Sequence, residues 1–480
     1  MFTEECRCEV HENFDKLGEE CGIFGGFVHK GDVKGIIRNG LFKLQHRGQE
    51  SAGISCGEET QTLVKAKGLV MQALADSAIL ESNGRFGIGH VRYSTQGGSS
   101  AVNAQPYLIK YMDEHVAMAH NGNVKKAMKI REKFEKIGEV FITNSDSEVL
   151  LKRIVYGLRK PPSQWTFNEI GECLGEDFSK GAFSLALTLP KRIVAYRDPV
   201  GYRPLFVCEA KEGYFIASED IAFTGLDIKK TIEVMPGEGV EITEKGYSIQ
   251  RFYEQTKECK CVFEHIYFAH PASNIFGRNV YMTRVELGKT LAKTDNIKAD
   301  IVVPVVDSGM AAAIGYSQES GIPFHTGLIR NHWVGRSFIA PTQESRINKV
   351  REKLLIVRPL IEGKKVLLVD DSMVRGTTSR EIVSMLKNAG AKEVHFRLSS
   401  PMLLNTCSWG VDIPTTGELI AAVHKDEKKI AAAIGADSIK YLPMSALKEI
   451  FGETGWCYRC FEAEKEKPAK PLCKALAFAK

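Results

Sequence analysis

Residues 364–386, KKVLLVDDSMVRGTTSREIVSML, decide how the second half of this chain folds. The run Val366–Val369 is continuously apolar, as a strand buried on both faces of a parallel sheet should be. Asp370 and Asp371 follow at its carboxyl end, where open α/β sheets hold their ligands. Arg375, Gly376, Thr377, Thr378 and Ser379 then open a helix. Glycine lets the backbone come close to a ligand, and hydroxyls beside the free N–H groups of a helix start make an anion cradle. One acid here would read as an ordinary helix cap. Two acids followed by R-G-T-T-S read instead as a sugar-phosphate site, with carboxylates that receive ribose hydroxyls or a magnesium ion. A Walker loop is excluded, because its G-K-[ST] ending is absent.

The neighbouring sequence extends the pattern. Strand-like runs ADIVVPVV and EVHFRLS alternate with helical stretches, as in a parallel α/β sheet covered on both faces. IVVPVVDSG (301–309) puts Asp307 and Ser308 at the end of another strand. Residues 330–349, RNHWVGRSFIAPTQESRINK, are long, polar and arginine-rich, as a lid over an anion would be. The Asp370–Ser379 loop resembles the phosphoribosyl pyrophosphate (PRPP) signature of type I phosphoribosyltransferases. That resemblance implies a pyrophosphate site at Asp307–Ser308.

Upstream of the charged joint EQTKECKC (254–261) the pattern differs. Short strands such as GIFGGFV, RFGIGHVRYST, HVAMAHNG, GAFSLALTL, RIVAYRD and YFIAS are separated by glycine-rich turns. Two helical patterns, around 123–137 and 146–158, interrupt them, the second beginning at Ser145-Asp146-Ser147-Glu148. Packed sheets sandwiched by helices are expected.

Bulk properties bound the function. The chain has 480 residues, 44% of them hydrophobic, enough for at least two domains. A net charge of +5 without a long basic run excludes nucleic acid as a main partner. No apolar run is long enough to span a membrane. Twelve cysteines in a long chain point to reduced thiols, a metal site or a catalytic cysteine rather than a disulfide framework. Residues 1–20 hold seven acids against Arg7 and Lys16, which is neither an export signal nor a transit peptide. A cytoplasmic protein is expected.

Taken in order, CGIFGG (21–26), LQHRGQESAGI, GIGHVRYSTQGGSS, AHNGN, NSDSE, RDPVGYRPL, CVFEHIYFAHP, GRSFIAP and VLLVDDSMVRGTTS resemble the glutamine PRPP amidotransferase family from about Cys21 to Phe461. The resemblance is to the type with a propeptide and an iron–sulfur cluster. It implies an α+β N-terminal-nucleophile glutaminase domain, an αββα sandwich, over 21–255. An α/β type I phosphoribosyltransferase domain follows over 256–463, with a propeptide over 1–20 and a charged tail over 464–480. The implied activity makes 5-phosphoribosylamine from PRPP and glutamine, the first committed step of purine synthesis.

Residue by residue, the resemblance makes Cys21 the nucleophile, exposed as a new N-terminus when Met1–Glu20 is removed. A free α-amino group, with pKa of about 7.7–8.0, can then take the thiol proton; a peptide nitrogen cannot. Asn121 and Gly122 become the oxyanion hole, Arg92 the clamp for the glutamine carboxylate and Asp146 the partner of its ammonium group. PRPP is assigned to Asp307, Ser308, Asp370, Asp371, Arg375, Gly376, Thr377, Thr378 and Ser379. Mg2+ is assigned to Ser308, Asp370 and Asp371. Cys261, Cys407, Cys457 and Cys460 match the ligands of a 4Fe–4S cluster with a structural role, although the CxxC of WCYRC by itself suits zinc equally. Cys259 has no family role. An apolar passage for ammonia, purine nucleotide inhibitors and a homotetramer or homodimer also come with the resemblance.

The chain departs from the family at three places. IRNHWVGRSF stands for the usual KNRYVGRTF, so that arginine keeps lysine's charge but not its compact geometry. VVDSG lacks the usual proline before the acid, and FAHPASN replaces FARPDSN. Two other readings compete: another N-terminal-nucleophile amidotransferase with a sugar isomerase as its second half, and a non-catalytic PRPP-binding regulator. The DDSMVRGTTS loop opposes the first, and the glutaminase motifs oppose the second.

Overall fold

The structure, a computed structural model, describes residues 21–76, 83–93, 101–124, 127–178, 181–254, 257–331, 350–413 and 415–463. The expected propeptide, the charged tail and lid residues 332–349 lie outside the described residues.

The first half contains thirteen strands among the described residues: β1 (Gly22–Val28), β2 (Ser51–Gly57), β3 (Gln61–Lys67), β4 (Phe86–Arg92), β5 (Tyr107–Tyr111), β6 (Glu114–Asn123), β7 (Ala182–Leu189), β8 (Arg192–Arg197), β9 (Phe206–Ala210), β10 (Gly213–Ala217), β11 (Ile228–Glu233), β12 (Glu238–Thr243) and β13 (Gly246–Arg251). They form a seven-stranded sheet in the order β11-β9-β10-β1-β4-β2-β3 and a six-stranded sheet in the order β13-β12-β8-β7-β6-β5. Ile23, Phe27, Ile88 and Ile216 from the first sheet meet Ala119, Ala186 and Ala195 from the second in one core. The outer face of the first sheet packs on helix Lys34–Lys43 through Phe24, Ile37 and Leu41. The outer face of the second packs on helices Ala127–Lys136, Asp146–Leu158 and Phe167–Phe178. This is the expected αββα sandwich.

Helices 127–136 and 146–158 fall where the sequence pattern places them. Ser145 caps the second, its hydroxyl accepting from the Ser147 N–H at 3.2 Å. Lys34–Lys43 and Phe167–Phe178 correct the expectation of two helices only. Each contains two glycines, which weaken the local helical signal, and tertiary packing decides instead. A side chain at Gly40 would stand 2.3 Å from the Phe24 ring, and one at Gly171 would stand 2.5 Å from Phe252.

The second half is built on a four-stranded parallel sheet in the order Ile301–Pro304, Lys365–Asp370, Glu393–Leu398, Ser438–Tyr441. Alternate residues face opposite sides. Val302, Leu367 and Val369 join helices Val280–Lys293 and Met310–Ser320 in one core. Val303, Val366 and Leu368 join helix Thr377–Asn388 in another. Leu328–Arg330 and Leu354–Ile356 pair antiparallel at the two ends of the lid segment. The charged joint is not merely a linker. Its Cys259–Cys261 forms a parallel ladder with Gly455–Cys457 near the end of the described chain.

Candidate active sites and thiol centre

Cys21 stands at the head of β1, the central strand of the seven-stranded sheet, and is buried at 8% exposure. The next residue, Gly22, pairs with Val91, which brings the end of β4 and Arg92 beside the cysteine. The Cys21 thiol donates to the Tyr93 carbonyl at 3.6 Å. Burial pushes this thiol up. The Tyr93 backbone and Arg92 oppose that rise, while Glu50 and Asp146 add to it. Cys21, Arg92, Glu50 and Asp146 therefore share one electrostatic environment. Arg92 meets Glu50 at 3.2 Å, so the strand-end arginine is already paired with a carboxylate where the glutamine carboxylate is expected.

Asn121 and Gly122 lie near the end of β6, opposite Ser184 and Phe183 of β7. Gly122 has φ 143°, and a side chain there would meet the Ala182 carbonyl at 1.9 Å. Only glycine fits. The Asn121 amide nitrogen is buried with no hydrogen-bond partner among the described residues. Buried donors are rarely left unsatisfied, so this amide has a hydrogen bond to offer an incoming acceptor. The strand is held at this point by residues that the sequence did not single out. The His120 carbonyl lies 3.0 Å from His90 Nε2 and accepts from Gln105 Nε2 at 3.3 Å. The His120 ring meets the Ser147 hydroxyl at 2.9 Å. Burial drives His90 down to about 3 and also lowers His120, so both rings are neutral near pH 7. Asp146 accepts from the Val124 N–H at 3.0 Å, which ties the helix start to the end of this segment.

Behind Cys21 lies a second buried group absent from the expected site. Arg47 Nε donates to the Cys21 carbonyl at 3.1 Å. Its other nitrogens reach Glu219 at 2.6 Å and Glu264 at 2.8 and 2.9 Å. Glu219 also receives His46, the His270 N–H and the Ser273 hydroxyl. Burial alone would raise the Glu219 carboxyl, but His46, Arg47 and Ser273 outweigh it and hold it well below the carboxylate range. A depressed folded-state value stabilises the protein above the unfolded carboxyl's value of about 4.3, and that stability is lost as pH falls below it. Melting curves taken between pH 6 and 3 should show Tm falling below about pH 4.5. The slope should reach about 1.4 kcal/mol per pH unit for this one proton, and Glu219→Gln should flatten it. An unchanged slope would remove Glu219 from the acid response.

In the second half the two predicted loops come together. Ser308 Oγ donates to Asp370 Oδ1 at 2.9 Å, and Asp371 accepts from Ser372 Oγ at 2.6 Å. Both aspartates are buried, and Arg330 at the start of the lid pairs with Asp307. Gly376, in the left-handed conformation, leads directly into helix Thr377–Asn388, which opens with Thr377, Thr378 and Ser379. Arg375 bonds Glu418 at 2.8 Å. Two carboxylates and a hydroxyl at strand ends beside a helix N-terminus are hard oxygen donors next to an anion cradle, which suits Mg2+ shared with substrate phosphates.

Among the described residues every cysteine is a free thiol. Burial pushes the Cys261, Cys407 and Cys460 thiols up, and each is raised further by other members of the set. Cys457 is raised first by its hydrogen bond with Cys259, then by burial. Cys261 and Cys457 are direct partners in the parallel ladder. Four thiols thus face one another electrostatically. Yet among the described residues no three His, Cys, Asp or Glu side chains are grouped to hold a single metal ion. Four thiols are a donor set that suits an iron–sulfur cluster and zinc alike. Cys259 lies beside this set, as the residue hydrogen-bonded to Cys457 and Tyr202.

Comparison with known proteins gives two domain matches: a glutamine amidotransferase domain over residues 90–225 and a phosphoribosyl transferase domain over 284–399. The amidophosphoribosyltransferase of Methanocaldococcus jannaschii is 40% identical over 459 residues, covering 92% of this chain and 96% of that one. That of Bacillus subtilis is 41% identical over 454 residues, covering 93% and 94%. The solved B. subtilis glutamine PRPP amidotransferase, complexed with ADP and GMP, superposes with a TM-score of 0.83 at 40% identity, covering 92% of this chain and 96% of that one.

Proposed function

The chain belongs to the amidophosphoribosyltransferase family, and from that premise we propose how its own residues divide the family's reaction. PRPP, glutamine and water become 5-phosphoribosylamine, glutamate and pyrophosphate, the first step of purine synthesis.

In the first half Cys21 attacks the side-chain amide carbon of glutamine. Asn121 and the Gly122 N–H receive the oxyanion, ammonia leaves, and water releases glutamate from the thioester. Arg92 takes the α-carboxylate in place of Glu50, and Asp146 takes the α-ammonium group. The observation that carries this reading is the buried, unpartnered Asn121 amide, on a strand fixed from three sides, in a site whose cysteine shares the field of Arg92 and Asp146. Among the described residues the Cys21 thiol hydrogen-bonds only a carbonyl, so its base is the α-amino group freed by removal of residues 1–20.

In the second half ammonia attacks C1 of PRPP and pyrophosphate departs. The Arg375–Ser379 loop holds the phosphate on the ribose, Asp370 and Asp371 take the ribose hydroxyls, and Asp307 with Ser308 holds the pyrophosphate. Ser308, Asp370 and Asp371 would hold Mg2+, which when bound neutralises charge on the leaving pyrophosphate. Cys261, Cys407, Cys457 and Cys460 would hold a 4Fe–4S cluster that cross-links three distant segments. The ADP and GMP complex of the B. subtilis relative supports purine nucleotides as ligands here, and inhibition is the role proposed for them. A cytoplasmic homotetramer or homodimer completes the reading. Among the described residues no helix is long and apolar enough to cross a membrane.

Intact mass and metal content of protein purified without oxygen test the two untried elements together. The expected species begins at Cys21 and carries a full cluster's iron and sulfide. An active chain still beginning at Met1 would end the N-terminal-nucleophile reading. Zinc in place of iron would end the cluster reading.

A further inference from the structure

Lys65 lies on β3, an edge strand of the sheet that bears Cys21. Its half-buried ammonium group reaches away from that sheet. Lys65 Nζ donates to the Ala104 carbonyl at 2.5 Å and to the Val102 carbonyl at 3.5 Å, and stands 5.0 Å from the centre of the Tyr107 ring. Tyr107 opens β5, an edge strand of the other sheet, the one that bears Asn121. Its hydroxyl donates to the Asn103 carbonyl at 3.2 Å. Three successive carbonyls, 102 to 104, thus end on two side chains, one from each sheet. Backbone groups outside a sheet need such partners. Here the partners tie the two sheets together at their edges.

The next residue, Gln105, acts directly on the oxyanion segment. β5 and β6 pair from Tyr111 opposite Glu114 to Tyr107 opposite Met118. Two residues further along each strand come Gln105 and His120, and there a side chain takes over from the backbone. Gln105 Oε1 accepts from the His120 N–H at 2.7 Å, and Nε2 donates to the His120 carbonyl at 3.3 Å. Asn121 follows immediately. The Gln105 carbonyl is pressed against β2, where a side chain at Gly53 would stand 2.3 Å from it and 2.8 Å from Lys65 Cβ. The turn therefore lies on the Cys21 sheet while its glutamine grips the Asn121 sheet.

We propose that Lys65 is a positioning residue of the glutaminase: it fixes the turn that carries Gln105, and through Gln105 it sets the Asn121 and Gly122 donors relative to the Cys21 thiol. Nucleophile and donors belong to different sheets, so strand pairing within either sheet does not set the distance between them. The inference rests on the proposed roles of Cys21, Asn121 and Gly122. Burial and then Arg92 lower the Lys65 ammonium to about 8, against the pull of Glu148. It is charged at pH 7 and mostly neutral by about pH 9. A neutral amine loses the charge-assisted part of both hydrogen bonds and its attraction to the Tyr107 ring.

The test compares the matured parent with Lys65→Met and Lys65→Arg. Glutamate release with PRPP and Mg2+ is followed from pH 7 to 9, phosphoribosylamine formation is measured with ammonium as the donor, and Tm is recorded. At pH 7 the Lys65→Met kcat for glutamate release should fall by about tenfold to a hundredfold, the scale on which small misplacements act, with KM for glutamine within about twofold of the parent's. Lys65→Arg keeps a cation with N–H donors and should stay within about threefold of the parent's kcat. Arginine does not lose its charge in this range, so the parent's kcat divided by that of Lys65→Arg should fall between pH 7 and 9. That ratio cancels the titration of the Cys21 α-amino group, and it decides the matter even if Lys65→Met fails to fold. Ammonium-driven synthesis should be unchanged in both variants. A raised KM at unchanged kcat would put Lys65 on the glutamine carboxylate and overturn the oxyanion role. A ratio that stays flat with pH overturns it too, as does an equal loss of both activities together with Tm. A parent that releases no glutamate overturns the roles of Cys21 and Asn121 themselves, an outcome distinct from any of these, and the inference falls with them.

Discussion

Replacing Cys21 by alanine is expected to lower glutamate release by on the order of 10⁴-fold or more, while the chain continues to make phosphoribosylamine from ammonium. On the proposed division of the reaction, no thioester forms without the thiol, and Asn121 and Gly122 are left to stabilise an oxyanion that nothing generates. The second activity survives because the phosphoribosyl half has its own four-stranded sheet and its own two cores, neither of which includes β1. Cys21 contributes little to packing: its thiol makes one long hydrogen bond to a carbonyl. Steady-state assays with glutamine and with ammonium, run on one preparation, separate the outcomes. Glutamate release persisting in Cys21→Ala would move the nucleophile elsewhere. Loss of both activities would mean that the cysteine is needed for the fold.

The converse result is expected from Asp371→Asn. Asp371 is 1% exposed at the mouth of the parallel sheet, bonded to Ser372 and next to the Asp370–Ser308 contact. Asparagine keeps the shape and removes the charge. If that carboxylate anchors the ribose and the metal, losing it forfeits several kcal/mol of transition-state stabilisation. Phosphoribosylamine formation should then fall by about 10³-fold with either nitrogen donor. Basal glutamate release, measured without PRPP, should be unchanged, since Cys21, Asn121 and Arg92 belong to other sheets. Raising Mg2+ should recover part of the lost rate. A variant within about threefold of the parent would leave Asp370 as the sole acid at that site.

Residues that could be read from sequence share one property: their chemistry is local. Asp370 to Ser379 is a strand end, a turn and a helix start in ten consecutive positions, and each step has a short-range cause. Cys21, Arg92, Asn121 and Asp146 come from four separate elements, and only their motifs identify them. Arg47 could not be read as a positioning group. It lies inside the quoted LQHRGQE stretch, but its partner Glu264 is 217 residues away, and their pairing depends on two domains packing together. The helices at 34–43 and 167–178 are hidden in the sequence for a related reason. Their glycines look like turns until Phe24 and Phe252 are seen lying against them. Cys259 carries no local signal, because its neighbour Cys457 comes from the distant strand Gly455–Cys457.

The central place of β1 also has a consequence for synthesis. Its partners are β4 on one side and β10 on the other, with Phe24 paired to Ala217. At roughly 5–20 residues per second, a ribosome needs about 10–40 seconds to make the roughly 190 residues that separate them. Through that interval the nascent strand that follows Cys21 keeps one unpaired edge, open to aggregation. The first described residues to be made are thus among the last to be closed in. The edge of β1 is the part of the newborn chain that most needs a chaperone's cover.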